Sequence, residues 1–113
     1  MAVIIWHNPQ CTKSRKTLAL LQDGGHDPFV RLYLQDPPDV TEISAARDQL
    51  KVHAIAMIRT NESIFTDLGL ADADDEGLIA AMAAHPILIE RPIVFVNGRA
   101  AIGRPPENVA AIL

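Results

Sequence analysis

A strand, a helix and a second strand follow one another between Val3 and Tyr33, and that succession limits the folds open to the chain. Val3-Ile4-Ile5-Trp6 is short, apolar and β-branched, as a fully buried strand should be. Asn8-Pro9 marks a turn. Thr12 to Gln22 has a helical pattern that should bury Leu18, Leu20 and Leu21. It stops at Gly24-Gly25, where glycine accepts the left-handed conformation past a helix end. Phe29 to Tyr33 reads as the second strand. Strands joined through a helix of this length pair in parallel, with a right-handed crossover.

Pro37-Pro38 breaks that strand, and Thr41 is expected to cap a helix running to about Leu50. Ala54 to Ile58 is apolar and fits either a strand or a helical turn. Asn61 is a candidate cap for a short helix, Glu62 to Leu68, ended by Gly69. Ala71 to Glu76 is an acidic connector without calcium-loop spacing, read as a solvated loop with a helix N-terminus at its end. A helix from Leu78 to His85 stops at Pro86. Ile93 to Val96 is a buried strand, Asn97-Gly98 signals a hairpin, and Arg99 to Ile102 should return antiparallel. Gly103-Arg104-Pro105-Pro106 ends the hairpin. A terminal helix should then turn Val109, Ile112 and Leu113 to the core. The order is β-α-β, helices, β-hairpin, helix. That is a thioredoxin-like α/β pattern: a four-stranded mixed sheet flanked by helices, with a helical insert.

With 113 residues, 49% of them hydrophobic, a single domain spanning 1–113 is expected. A net charge of −4 and a pI near 5.4 argue against a general nucleic-acid binder. The chain has one cysteine, which excludes an internal disulfide, a Cys-x-x-Cys pair and a cysteine-rich zinc cluster. A free thiol suits a reducing compartment, so a cytoplasmic protein is expected. The N-terminus lacks a basic region, and its apolar run is too short for a signal peptide. No stretch approaches the roughly 20 apolar residues of a membrane helix.

That cysteine, Cys11, falls between a strand end and a helix start, where backbone N–H groups favour a thiolate. A buried structural cysteine would be a small inert hydrophobe. Cys11 instead has polar and basic neighbours, Thr12, Lys13, Ser14, Arg15 and Lys16, and reads as a nucleophile. Ser14 lies three residues on, and its hydroxyl is expected to donate a hydrogen bond to the sulfur. His7 is either a backbone-bonded strand-end histidine or an imidazole that lowers the thiol pKa or assists proton transfer. His26, His53 and His85 show no ligand spacing with it, so no metal site is expected. Arg91 precedes Pro92, which restricts its backbone and can carry a cis bond. Arg104 is held between Gly103 and a Pro-Pro pair. In the inferred fold both turns can approach the Cys11 edge. An arginine fork suits an oxyanion, since it binds two oxygens at once and does not deprotonate.

The run His7-Asn8-Pro9-Gln10-Cys11-Thr12-Lys13-Ser14-Arg15 resembles the active-site signature of the glutaredoxin-linked arsenate reductases, the ArsC family. So do Ile58-Arg59-Thr60-Asn61, Leu68-Gly69-Leu70, the block His85 to Val94, and Gly103-Arg104-Pro105-Pro106-Glu107. The resemblance implies reduction of arsenate to arsenite, as in arsenic detoxification. By position it makes Cys11 the nucleophile that forms a thiolate–arsenate adduct, with His7 and Ser14 linked to thiolate activation. It makes Arg59, Arg91 and Arg104 the oxyanion-binding triad, gives Arg15 a supporting role at the substrate, and makes Pro92 a structural cis-proline. It implies no bound cofactor or metal. Glutathione is the co-substrate and glutaredoxin the reducing partner, with no nucleic acid or membrane and a monomeric chain. The chain ends before the C-terminal tail of longer members, and Trp6 stands where a smaller aromatic is common.

Two other functions fit the same superfamily. A Spx-type regulator binds RNA polymerase and carries a Cys-x-x-Cys switch, but here Ser14 stands at the second position. An ArsC-like thiol protein acting on another oxyanion or on a protein disulfide is the other alternative.

Overall fold

The computed structural model describes residues 2–113. Their contacts divide into two compact units, each with its own packing: the chain up to Asp36 together with Arg91–Leu113, and Pro37–Glu90.

The first unit holds the sheet. Its strands are β1 (Val3–Trp6), β2 (Phe29–Arg31), β3 (Ile93–Val96) and β4 (Arg99–Ile102), in spatial order β2-β1-β3-β4. β1 pairs in parallel with β2, Ile5 opposite Val30, and antiparallel with β3, Ile5 opposite Val94. The β-α-β reading therefore holds. The hairpin also forms: Asn97 (φ 52°) and Gly98 (φ 75°) both take the left-handed conformation, as a two-residue turn between twisted strands requires. β2 is shorter than expected. It ends at Arg31, and Leu32 to Asp36 turns back, with the Gln35 and Asp36 N–H groups both donating to Leu32 O. As an edge strand it leaves Phe29 67% exposed, while Tyr33, beyond it, is buried.

Helix α1 (Thr12–Asp23) crosses between β1 and β2. Its buried stripe is Ser14, Thr17 and Leu21; Leu18 and Leu20 pack only partly. Val3, Ile5, Val94 and Val96 from alternate strand positions meet Leu21, Val109 and Ile112 in one core. The expected terminal helix forms as a 3₁₀ helix, Pro106–Ile112, with Val109 and Ile112 buried, while Leu113 stays 37% exposed instead of joining the core. Trp6 packs its ring at a tilt on Phe95, centroids 4.8 Å apart, with the Arg31 guanidinium 5.8 Å above it.

The second unit is helical: α2 (Val40–Leu50), α3 (Ser63–Asp67) and α4 (Asp75–Ala84), with 3₁₀ turns between them. Asp39, not Thr41, caps α2. Its carboxylate accepts the Glu42 N–H and the Glu42 carboxylate accepts the Asp39 N–H, a reciprocal capping box. Ala54–Met57 resolves as a 3₁₀ turn. Helix α3 follows Glu62 rather than Asn61 and has no side-chain cap, and Gly69 supplies a left-handed residue beyond it. Helix α4 starts three residues before Leu78, because Asp74 in the acidic connector accepts the Gly77 N–H. The Asp75 carboxylate takes the Ala54 N–H and the Arg47 guanidinium. Ile58 bridges to Ile89, where the Arg59 N–H donates to Leu88 O and the Glu90 N–H to Met57 O, both at 2.7 Å.

Candidate active site

The chain from His7 to Arg15 is held by its own short-range bonds. The Asn8 carboxamide oxygen accepts the Gln10 N–H, and the Asn8 carbonyl accepts the Cys11 N–H at 3.0 Å. This folds the loop so that Cys11 becomes the residue before α1, in extended conformation (φ −97°, ψ 123°). The thiol is half-buried. Its sulfur closes no capping bond, but the first N–H groups of the helix still act on it. Burial pushes the Cys11 thiol up. The Ser14 N–H, the Arg91 guanidinium, the Lys13 N–H and the Arg104 guanidinium outweigh that, and the net shift is downward. The helix start and two arginines thus favour a thiolate.

Those arginines arrive by hairpin geometry. Ile93 stands opposite Ile102 at the end of the β3–β4 ladder, and the Gly103 N–H extends the ladder to Pro92 O at 2.9 Å. Arg91 and Arg104 therefore flank the open end of the hairpin, opposite its Asn97-Gly98 turn. Arg91-Pro92 is a cis bond, as the sequence allowed; Arg104-Pro105 is a second, which the sequence reading did not foresee.

Ser14 and His7 come together, but not as expected. Ser14 Oγ lies 2.7 Å from His7 Nδ1 and accepts the Asn8 N–H at 3.0 Å. The hydroxyl bond to sulfur inferred from spacing is absent; it is the Ser14 backbone N–H that serves the thiol. His7 is buried, and burial followed by the Arg15 charge lowers its pKa, so the ring favours its neutral form. Arg15, given a supporting role at the substrate by the family resemblance, is tied to the loop itself. Its guanidinium donates to Pro9 O at 2.7 Å and Thr12 Oγ1 at 3.1 Å, clamping the loop that carries Cys11. Arg59 belongs to the helical unit, where its guanidinium pairs with Glu62 at 2.8 Å. Pro92 lies at the hairpin end beside Gly103.

The sequence reading missed Asn8 as the organiser of the loop. Its signal was present as an Asn-Pro turn two residues before Gln10. It also missed the Thr17–Gly103 approach, which no local pattern announces. Among the described residues no group of histidine, cysteine, aspartate and glutamate side chains could hold a metal ion, and no helix is long and apolar enough to cross a membrane.

A half-buried thiol favoured as thiolate, with two arginine forks acting on it, can attack an electrophilic oxyanion and hold its charge. An Escherichia coli protein, the uncharacterised YfgD, is 47% identical, covering 98% of this chain and 96% of its own. A protein named arsenate reductase from Haemophilus influenzae is 44% identical with full coverage of both chains. The solved structure of an arsenate reductase from Vibrio cholerae superposes with a TM-score of 0.98 at 50% identity, covering 100% of this chain and 98% of that one. The sheet, the helices around it and these neighbours give the chain the thioredoxin-like fold expected of its element order. The profile of the ArsC family matches residues 6–112, and the chain belongs to the ArsC family.

Proposed function

We propose that the protein is an oxidoreductase that reduces arsenate to arsenite, with Cys11 as the nucleophile. The observation that carries this reading is the half-buried Cys11 thiol immediately before α1, where the first helix N–H groups and the Arg91 and Arg104 guanidinium groups favour the thiolate. Similarity over the whole chain to proteins named arsenate reductase supports the substrate.

The thiolate attacks arsenic and forms the sulfur–arsenic bond, while the bond to one arsenate hydroxyl breaks and that hydroxyl leaves as water with a proton taken from solvent. Arg91 and Arg104 hold the remaining oxygens and oppose their repulsion of the thiolate. The family resemblance adds Arg59 to the oxyanion set, and Arg59→Ala tests it through KM. No second cysteine exists to resolve the adduct. An external thiol, which we take to be glutathione, therefore attacks the Cys11 sulfur. The electron pair of the sulfur–arsenic bond passes to arsenic, As(V) becomes As(III), and arsenite leaves. The mixed disulfide on Cys11 is then reduced by glutaredoxin. Such thiol reductants place the reaction in a reducing cytoplasm. His7 and Ser14 contribute by fixing the loop around Cys11, and Arg15 by clamping it.

The test is NADPH consumption and arsenite release in a mixture of protein, arsenate, glutathione, glutaredoxin and glutathione reductase. Turnover that disappears in Cys11→Ser and without glutaredoxin is the expected result. Folded protein with a reactive Cys11 but no arsenite release would overturn it in favour of another oxyanion or a protein disulfide.

A further inference from the structure

Gly103 is buried, and its φ is not in the left-handed region, so backbone freedom does not explain a glycine there. Space does. A Cβ at Gly103 would lie 2.5 Å from Thr17 Oγ1, 2.8 Å from Pro92 Cγ and 3.1 Å from Thr17 Cγ2. Thr17 itself is fully buried, one turn beyond Ser14 on α1, with its hydroxyl donating to Lys13 O at 2.8 Å. Three elements therefore meet where side-chain bulk is excluded: the helix that begins at Cys11, the turn that carries Arg91-Pro92, and the turn that carries Arg104. Arg104 is also tied on both sides, its N–H donating to Ile102 O and its carbonyl accepting from Asn108 Nδ2.

We propose that Gly103 is a positioning residue. Its missing Cβ lets the hairpin end seat against Thr17 and Pro92, and that contact sets the Arg91 and Arg104 guanidinium groups relative to the Cys11 sulfur. The inference rests on the reading of Cys11 as the nucleophile and deepens it. A methyl at residue 103 must push the hairpin end away from the helix. A displacement of about 1 Å at a catalytic constellation costs on the order of 100-fold in rate.

The experiment follows the pH midpoint of Cys11 alkylation by iodoacetamide, which needs no arsenate, and kcat and KM for arsenate. The side-chain charges that act on the thiol are Arg91 and Arg104, both carried by the hairpin ends, while His7, Lys13 and Arg15 are neighbours in its own loop and helix; the midpoint therefore reports the placement of the two arginines. Gly103→Ala, shown to be folded by circular dichroism, should raise the midpoint and lower kcat/KM on the order of 100-fold. Thr17→Ala with Gly103→Ala clears two of the three close contacts. It should lower the midpoint again and recover about tenfold of the loss, a non-additive pair. An unshifted midpoint in folded Gly103→Ala, or a double variant with no recovery, overturns the proposal. Should Gly103→Ala fail to fold, Thr17→Ala alone decides, because it loosens the same contact from the helix side. A raised midpoint then supports positioning and a wild-type midpoint overturns it. If the wild-type protein turns over no arsenate, the proposed function falls, and the alkylation midpoints still judge Gly103.

Discussion

At Ser14 the backbone and the side chain serve different partners. The N–H acts on the Cys11 thiol, while the hydroxyl is taken by His7 and the Asn8 N–H. Ser14→Ala keeps the first and loses the second. It should cost about 1–3 kcal/mol of stability, since a buried ring nitrogen and an N–H lose their partner, and should leave the alkylation midpoint of Cys11 nearly unchanged. Arg91→Gln should do the reverse: a higher midpoint with little change in urea unfolding. The pH dependence of stability has one sign at both titrating groups. The Cys11 thiol has a lowered pKa in the folded chain. Between that value and the ordinary one the unfolded chain holds more protons, so stability rises with pH. The gain is complete above the ordinary thiol value and is lost as pH falls through the lowered one. Urea unfolding of the wild type against Cys11→Ser should show this rise in the wild type alone. His7 is likewise lowered, so its share of stability is lost as pH falls from the ordinary imidazole value through the folded one. His7→Gln should flatten that acid limb.

Among the elements, those whose ends depend on local chemistry were the most legible. The Asn97-Gly98 turn formed as read because both residues must adopt φ above zero, and few residue pairs do so readily. Gly98→Ala should cost about 1–2 kcal/mol, seen as a lower unfolding midpoint in urea. At α2 the error was one of choosing among neighbours. Asp39 and Thr41 can both cap, and Glu42 decides in favour of Asp39 by returning its carboxylate to the Asp39 N–H. Asp39→Ala should therefore cost about 1 kcal/mol, where Thr41→Ala should cost little. β2 was misjudged for another reason, while the terminal helix formed where it was expected, Leu113 excepted. Phe29 to Tyr33 has strand composition, but a sheet edge gives the last residues no partner on one side. The terminal stretch has the apolar spacing of a helix, and Val109 and Ile112 are buried without α-helical hydrogen bonding.

At the scale of the whole molecule, the core ties the helix that follows Cys11 to the sheet whose hairpin is flanked by Arg91 and Arg104, through Leu21 with Ile5, Val94 and Val109. Leu21→Ala should cost about 2–5 kcal/mol by thermal or urea unfolding. The cysteine count has its own consequence. With one thiol in the chain, incubation with arsenate and glutathione without glutaredoxin should leave a single glutathione on Cys11, detected by intact mass. The sequence by itself determined the β-α-β opening, the hairpin, the lone thiol at a helix start and the family. These depend on periodicity, turn residues and motif spacing, all of which are local. Only the tertiary structure decided which atoms of Ser14, His7 and Arg15 meet which partners, and that Thr17 and Gly103 touch. Those facts depend on where distant segments pack and how each side chain turns, and neighbouring residues do not specify either.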